Sequence, residues 1–584
     1  MTDRFGVNGG LVLLLVALAA VSAFQRQPAP SHVFHHGRIA TVDPQFKVVE
    51  AMAIRDGRVL ATGTTADMLA LAASSTEQVD LGGRTVVPGL IDSHVHAPSA
   101  SMYEFEQPVP DMQSVEDALG YIRARAGQTE PGQWIVLSQV FITRLREQRY
   151  PTRLELDQAA PRHPVAFRTG PDASLNSAAL EISGIDAKFR VPDGEPCRVE
   201  RDGKGEPTGI LRNCGRFIRS QSTGRSPTAA DRLDRLRQLL ADYNSVGITS
   251  IVDGNADDSG VELYRRLLAK RELTCRTFLA YGVDAQAPLD RVEAAIREAA
   301  AHPLHQRDDM LWLRGIKVFL DGGMLTGSAY MRQPWGVSPI YSIDDPDYRG
   351  VRFIEPEKLY RLAKLALANE LQFTAHAQGD AAVETMVDTY ERINREDFPV
   401  RGRRPSITHA SFMSREAIDK MQALGVVANL QPAWLYLDGA TLGRHFGLER
   451  LTYFHPYRTL GERGVTVGGG SDHMQKIGSL RSINPYNPFL GMWTTIVRQP
   501  RGADAPQHPE QTLTREQALR LYTINNAFLT FEEAYKGSLE PGKLADFAVL
   551  DRDILTCPVE QVKDIQVEAT YLGGARVYAR PAGR

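Results

Sequence analysis

The sequence predicts an α/β fold: a (β/α)8 TIM barrel joined to a composite β-sandwich domain built from both termini, with an insertion after the first barrel strand. Three observations predict it. From Gly247 onward, short apolar or β-branched runs alternate with longer helix-patterned stretches; polar residues fall at the ends of those runs; and strand-like alternation recurs before and after them. Length agrees, since 584 residues with 43% hydrophobic side chains exceed the size at which one core stops growing.

In chain order, Arg4 is followed by the apolar stretch "LVLLLVALAAVSAF" from Leu11 to Phe24 and then by "QRQPAP". The stretch is short for a membrane span and suits the core of a signal peptide, with small residues at "VSA" for cleavage. Residues 1–24 therefore read as a signal peptide, which predicts export to the periplasm or medium. Asp3 offsets Arg4, so an uncleaved anchor that attaches the chain to the membrane is the alternative. The next segment, residues 32–86, alternates apolar and polar residues around turns such as "RDGR", as do "GSLEPGKLADFAVLDRD" and "VEATYLGGARVYA" within 533–580. These two segments are expected to form one β-domain. His32, His35 and His36 lie in it and read as structural or surface residues.

The barrel is assigned to 87–532. Its first strand ends in "HVH", and the stretch from there to Gly247 is too long for one crossover, so an insertion at about 100–228 is expected over the barrel mouth. Within it, "DGKGEPTGILRN" looks like a hairpin. Seven more strands follow as "GITSIVDG", "TCRTFLAYG", "LRGIKVFLDGG", "LQFTAHAQG", "PSITHAS", "GVVANLQP" and "GVTVGGGSD", separated by stretches such as "PEKLYRLAKLALANE" and "SREAIDKMQALG".

Lys and Arg total 67 against 70 Asp and Glu, without a long run of one sign, so nucleic acid is not an expected partner. Cys197, Cys214, Cys275 and Cys557 lack metal-ribbon spacing and are too few for a disulfide framework. Most read as buried apolar residues; in an exported chain Cys197 and Cys214 are close enough to pair.

The chemistry starts at His94 and His96. Residues i and i+2 of a strand face the same side, so both imidazoles enter one space while Val95 points away. Two satisfied core histidines would give the same pattern. Further polar residues decide the matter: Lys317, His376, His409 and Asp472 each interrupt an apolar run near its end. Singly, Lys317 fits a snorkelling lysine, His376 a packed histidine and Asp472 a helix cap. Jointly, six such residues at strand ends that a closed barrel brings to one mouth point to a metal site.

The motifs "VVPGLIDSHVH", "GIKVFLDGG", "TAHAQGDAAV", "ITHA", "GSDH" and "GSLEPGKLADFAVLD" resemble the amidohydrolase superfamily, in the amidohydrolase-3 branch that includes N-substituted formamide deformylase-like proteins. The resemblance covers nearly the whole chain after the leader. It implies that His94, His96 and Asp472 bind one divalent metal, that His376 and His409 bind a second, and that Lys317 bridges them as a carbamate. Zinc suits such a site, with manganese, iron and nickel as alternatives, and the site holds one or two ions. The implied reaction is hydrolysis of a C–N bond in a small non-peptide amide by metal-activated hydroxide, with Asp472 as the proton carrier.

The chain also departs from the branch. It has Asp172 where many members carry a histidine before "NSAAL", and His473 with Met474 where Ala-Pro is common. Asp172, Asn176, Tyr330 and His473 are accordingly candidate substrate contacts. The same site could act on an ester, lactone or phosphoester, since activated hydroxide does not select nitrogen as leaving atom. A non-catalytic exported binding protein on a dead barrel would have lost a ligand, and none of the six is missing. Substrate identity and oligomeric state, a homo-oligomer included, are left open.

Overall fold

The computed structural model describes residues 29–581 apart from 107, 171, 194–196, 222–225 and 342. The expected leader, residues 1–24, lies outside the described residues. Eight parallel strands form one sheet in sequence order. They are β1 (Leu90–Val95), β2 (Ile248–Ala256), β3 (Arg276–Gly282), β4 (Leu311–Phe319), β5 (Gln372–Ala377), β6 (Ser406–His409), β7 (Val427–Leu430) and β8 (Val467–Gly469). Their near-continuous burial matches their β-branched and apolar runs, because parallel strands are covered on both faces.

The intervening helices follow their sequence signals. Ala229–Ser245 starts at a Thr228/Asp231 capping box and lays Leu236, Leu239, Leu240 and Tyr243 on the sheet. Arg415–Leu424 starts at Ser414 and ends at Gly425, whose φ of 69° is the left-handed conformation that glycine adopts without penalty.

The sheet closes between β8 and β1. Just past β8, His473 bridges Val95; Asp472 N–H donates to His94 O at 2.8 Å, and His96 N–H to His473 O at 2.8 Å. Asn526, on the helix Ile524–Leu529, clamps the same seam. Its Nδ2 donates to Ile91 O at 2.6 Å and Gly469 O at 2.7 Å, and its Oδ1 accepts from Gly469 N–H at 3.0 Å.

The termini build two further sheets. One, of six strands, pairs Phe547–Leu550 antiparallel with Thr85–Pro88, so the end of the chain is woven into its beginning. The other, of four strands, contains His32–His35 and Ala51–Arg55. Phe34, Ile39, Met52, Ile54, Val86, Phe547 and Tyr571 fill the space between them. Thr85–Pro88 passes through Gly89 straight into β1, which couples this domain to the barrel.

The stretch after β1 forms a five-stranded sheet in which Arg198–Arg201 and Pro207–Arg212 make a hairpin. Cys197 and Cys214 are joined there by a disulfide, so these two cysteines are not buried free thiols; Cys275 is. Arg144 fastens this insertion to the barrel. Its Nη2 lies 2.7 Å from Asp438, a carboxylate on the helix Pro432–Phe446 that follows β7. Among the described residues, no helix is long and apolar enough to cross a membrane.

Asn526→Ala should strand three buried backbone groups at the closing seam. The expected loss is about 2–4 kcal/mol, several net hydrogen bonds plus unsatisfied groups. Denaturant melts of the variant would show it as a lowered midpoint; an unchanged midpoint would remove Asn526 as the clamp.

Candidate metal centre

His94 and His96 stand at the end of β1 as the two-residue spacing requires, with Val95 turned into the core. Space for the His94 ring comes from glycines. A Cβ on Gly254 would lie 2.0 Å from the imidazole, and one on Gly470 would meet His94 N at 2.8 Å. Asp92 anchors both strands of the seam by accepting from His94 N–H at 3.1 Å and from Ser471 N–H at 3.0 Å. As a result Asp472 Oδ1 lies 3.4 Å from His94 Nε2 and 3.2 Å from His96 Nε2. His94 Nε2 is nevertheless buried without a hydrogen-bond partner. Donor atoms brought so close without hydrogen-bond geometry form a cradle for a cation. These three are one of two His/Asp groupings with that spacing among the described residues.

Lys317, on β4, is 1% exposed and its Nζ has no hydrogen-bond partner. Burial pushes its amine down to about 7, against an opposing pull from Asp472. On β6, His409 Nδ1 lies 2.7 Å from Gln431 Oε1. Gln431 Nε2 donates to Asn429 O, which identifies Oε1 as the acceptor; His409 therefore carries its proton on Nδ1 and presents Nε2 as a lone pair. His376, on β5, has the opposite tautomer: Nε2 donates to Gly322 O at 3.3 Å, leaving Nδ1 free to accept a metal. The His376 and His409 ring centroids are 4.5 Å apart, those of His94 and His409 5.2 Å. Burial, reinforced by the Lys317 charge, drives the His376 imidazole down to about 3 and lowers His94 and His409 as well, so all three are neutral imidazoles at pH 7.

Backbone strain accompanies this placement. His409 has φ 77° and Asp472 φ 55°, left-handed values that cost roughly 1–3 kcal/mol each in a residue with a side chain. Both residues sit where a strand end must bend to aim its side chain at the centre.

The six residues thus meet at the floor of a cavity of about 530 Å3. Phe141, Phe319, Met324, Leu325, Phe353 and Trp434 wall it, and Trp434 also stacks on His409 at 4.8 Å. None of the four candidate substrate contacts lines this cavity. Asp172 is buried in an ion pair with Arg212 at 3.2 Å. Asn176 caps the helix Ser177–Ser183 and holds Val165 N–H. Tyr330 gives its N–H to Asp321. His473 accepts from Tyr243 O–H at 2.7 Å and donates to Gln475 O and Lys476 O.

Sequence reasoning passed over Asp92, Asp321 and Gln431. Asp321 accepts N–H bonds from Gln378, Gly379 and Tyr330 and so sets the turn after His376. Asp92 and Asp321 lie inside "LIDSHVH" and "LDGG", so their proximity to the candidate ligands was visible. Most of their partners were not, since Ser471, Tyr330, Gln378 and Gly379 come from distant segments.

The donor set fits a divalent ion: neutral imidazoles with open lone pairs, a carboxylate and an unpartnered buried amine. Gly254→Ala should displace the His94 ring and reduce bound metal severalfold while the fold persists. Metal analysis of the variant beside its circular dichroism checks this; full metal content would refute the packing argument.

The amidohydrolase family profile matches residues 77–578. The chain is similar to the N-substituted formamide deformylase of Arthrobacter pascens, at 29% identity over 93% of this chain and 98% of that protein. Among solved structures it is similar to an uncharacterized metal-dependent hydrolase of Pyrococcus horikoshii, at 23% identity, 91% and 99% coverage and a TM-score of 0.64. A zinc-complexed atrazine chlorohydrolase of Arthrobacter aurescens shares the fold at 17% identity, 95% and 97% coverage and a TM-score of 0.53. Profile, fold and convergent donors agree: the chain belongs to the amidohydrolase family, in its amidohydrolase-3 branch.

Proposed function

We propose that the protein is a metal-dependent hydrolase cleaving the C–N bond of a small, non-peptide amide. The observation that carries this reading is Lys317, a buried amine without a hydrogen-bond partner, within electrostatic reach of His94, His376, His409 and Asp472. An ordinary lysine would repel cations there. A neutral Nζ can instead add to carbon dioxide: the N–C bond forms, the nitrogen loses its proton, and the product is a carbamate anion able to bridge.

In this reading His94, His96 and Asp472 would hold one ion and His376 and His409 a second, with the Lys317 carbamate as a ligand they would share. Zinc suits the nitrogen and oxygen donors, and the zinc in one similar structure supports that choice. A bound divalent ion supplies Lewis acidity, which eases ionisation of water and polarises a carbonyl. The chain does the rest. The aromatic wall excludes bulk water and packs the apolar part of the substrate. The Asp472 carboxylate, on the cavity floor beside His96, takes the proton of the attacking water and returns it to the departing nitrogen. The similarity to a formamide deformylase supports nitrogen as the leaving atom. The Cys197–Cys214 disulfide supports reading residues 1–24 as an export signal, because such bonds persist in oxidising compartments.

Turnover of amide and ester pairs sharing one acyl group tests the reading, and activity confined to the esters would replace it. On an amide substrate, Asp472→Asn should keep the fold and part of the metal while kcat falls by about 10² to 10⁴, the usual contribution of a positioned proton carrier. A loss below about tenfold would give that role to another group.

Lys317→Ala should lower metal content and activity together, and a short carboxylic acid in solution should restore part of both. Lys317→Arg should do no better than alanine, because a guanidinium stays protonated. Full metal occupancy in both variants would eliminate the bridge.

A further inference from the structure

Beyond His96 the barrel mouth continues into a second cavity of about 430 Å3. Ser99, on the helix Ala97–Met102, and the end of β2 form its sides; His96, Ser99 and Tyr103 line both this cavity and the metal-centre cavity. The two spaces differ in chemistry. The first is walled by aromatic and aliphatic side chains, whereas the second presents Asp253, Asn255, Asp257 and Ser259.

Asp253 is the unusual member. It is 1% exposed, and its carboxylate accepts from Tyr264 O–H at 2.9 Å and from Asn255 N–H at a long 3.4 Å. Among the described residues it has no lysine, arginine or histidine within ion-pair distance. Burial makes this carboxylate costly to ionise and raises its pKa, with His96 across the cavity wall and the Tyr264 hydroxyl opposing the shift. Asp257 is otherwise engaged: it caps the helix Asp258–Ala269 by accepting from Gly260 N–H at 2.7 Å. Arg232 stands at the rim, so the floor is acidic while one positive charge lies outside.

We propose that this second cavity is the subsite for the amine side of the substrate and that Asp253 receives a protonated second amine there, making the substrate an amide between an apolar acyl group and a diamine. This rests on the C–N hydrolase reading above. The orientation follows from Asp472, which lies 3.2 Å from His96, the wall between the cavities; the nitrogen it protonates is therefore on the side of the second cavity. The reaction balances without a further proton donor: one water adds to the monocationic amide, and the products are the carboxylate anion of the acyl group and the dication of the diamine. Water oxygen bonds to the carbonyl carbon, the C–N bond breaks, and the leaving nitrogen gains the two protons that the water gives up.

The test uses purified, metal-replete protein and two amides of phenylacetic acid, one with 1,4-diaminobutane and one with butylamine. The diamine amide should have a kcat/KM at least tenfold higher. Asp253→Asn should bring the ratio near one without changing metal content or butylamide turnover by more than about twofold. Calorimetric titration of 1,4-diaminobutane should show binding to the wild type and at least tenfold weaker binding to the variant. Equal turnover of the two amides by the wild type, or diamine affinity indifferent to Asp253→Asn, overturns the subsite. Metal loss in the variant would instead make Asp253 a support for His96, and also overturns it. If neither amide is hydrolysed yet diamine binding depends on Asp253, the hydrolase reading fails and the subsite stands.

Discussion

Closing the eight-stranded sheet on itself is the constraint on which the rest of the structure depends. In an open sheet, His94 and His96 would lie at one edge and Asp472 at the opposite one. The hydrogen bonds between Asp472 and His94 and between His96 and His473 turn these edges into neighbours, and Asn526 and Asp92 hold the seam from behind. Closure also removes the exposed strand edges that would otherwise need protection.

The closed barrel then has to tolerate a polar centre. Lys317, His94 and His409 are buried where the protein offers them few partners, and His409 and Asp472 adopt left-handed backbone conformations. Such features persist only when their surroundings over-determine them. Here the surroundings are a second layer of buried polar groups. Ser93, Asn429 and Gln431 form one hydrogen-bonded chain that ends on His409, and Asp321 gathers three N–H groups behind His376. Outside this layer lies the continuous apolar packing of strands against helices, which holds every strand end in place.

Part of what surrounds the centre comes from outside the regular barrel. The insertion contributes Phe141 to the apolar wall and is tied down by the Arg144–Asp438 pair, whereas the polar space behind His96 is built from the segment that follows β1, the end of β2 and the residues after it. The six polar residues of the centre sit at strand ends fixed by the sheet, and part of the wall around them sits on segments outside it.

The elements and the polar residues that meet at the barrel mouth could be read from the sequence alone. Strand and helix periods are local, and a histidine, lysine or aspartate breaking an apolar run stands out without knowledge of its neighbours; His94, His96, Lys317, His376, His409 and Asp472 were legible for that reason. The direction of side chains outside the barrel strands was decided only by the tertiary structure. Asp172, Asn176, Tyr330 and His473 lie next to motif residues in sequence, but Asp172 turns to Arg212, Asn176 to a helix start, and His473 to Tyr243, a residue far away along the chain. The roles of Asp92, Asp321 and Gln431 were hidden in the same way, whereas the Cys197–Cys214 disulfide joins two residues whose closeness in sequence already allowed it. A buried polar group goes wherever a partner can satisfy it, and that partner is supplied by chain closure rather than by local sequence.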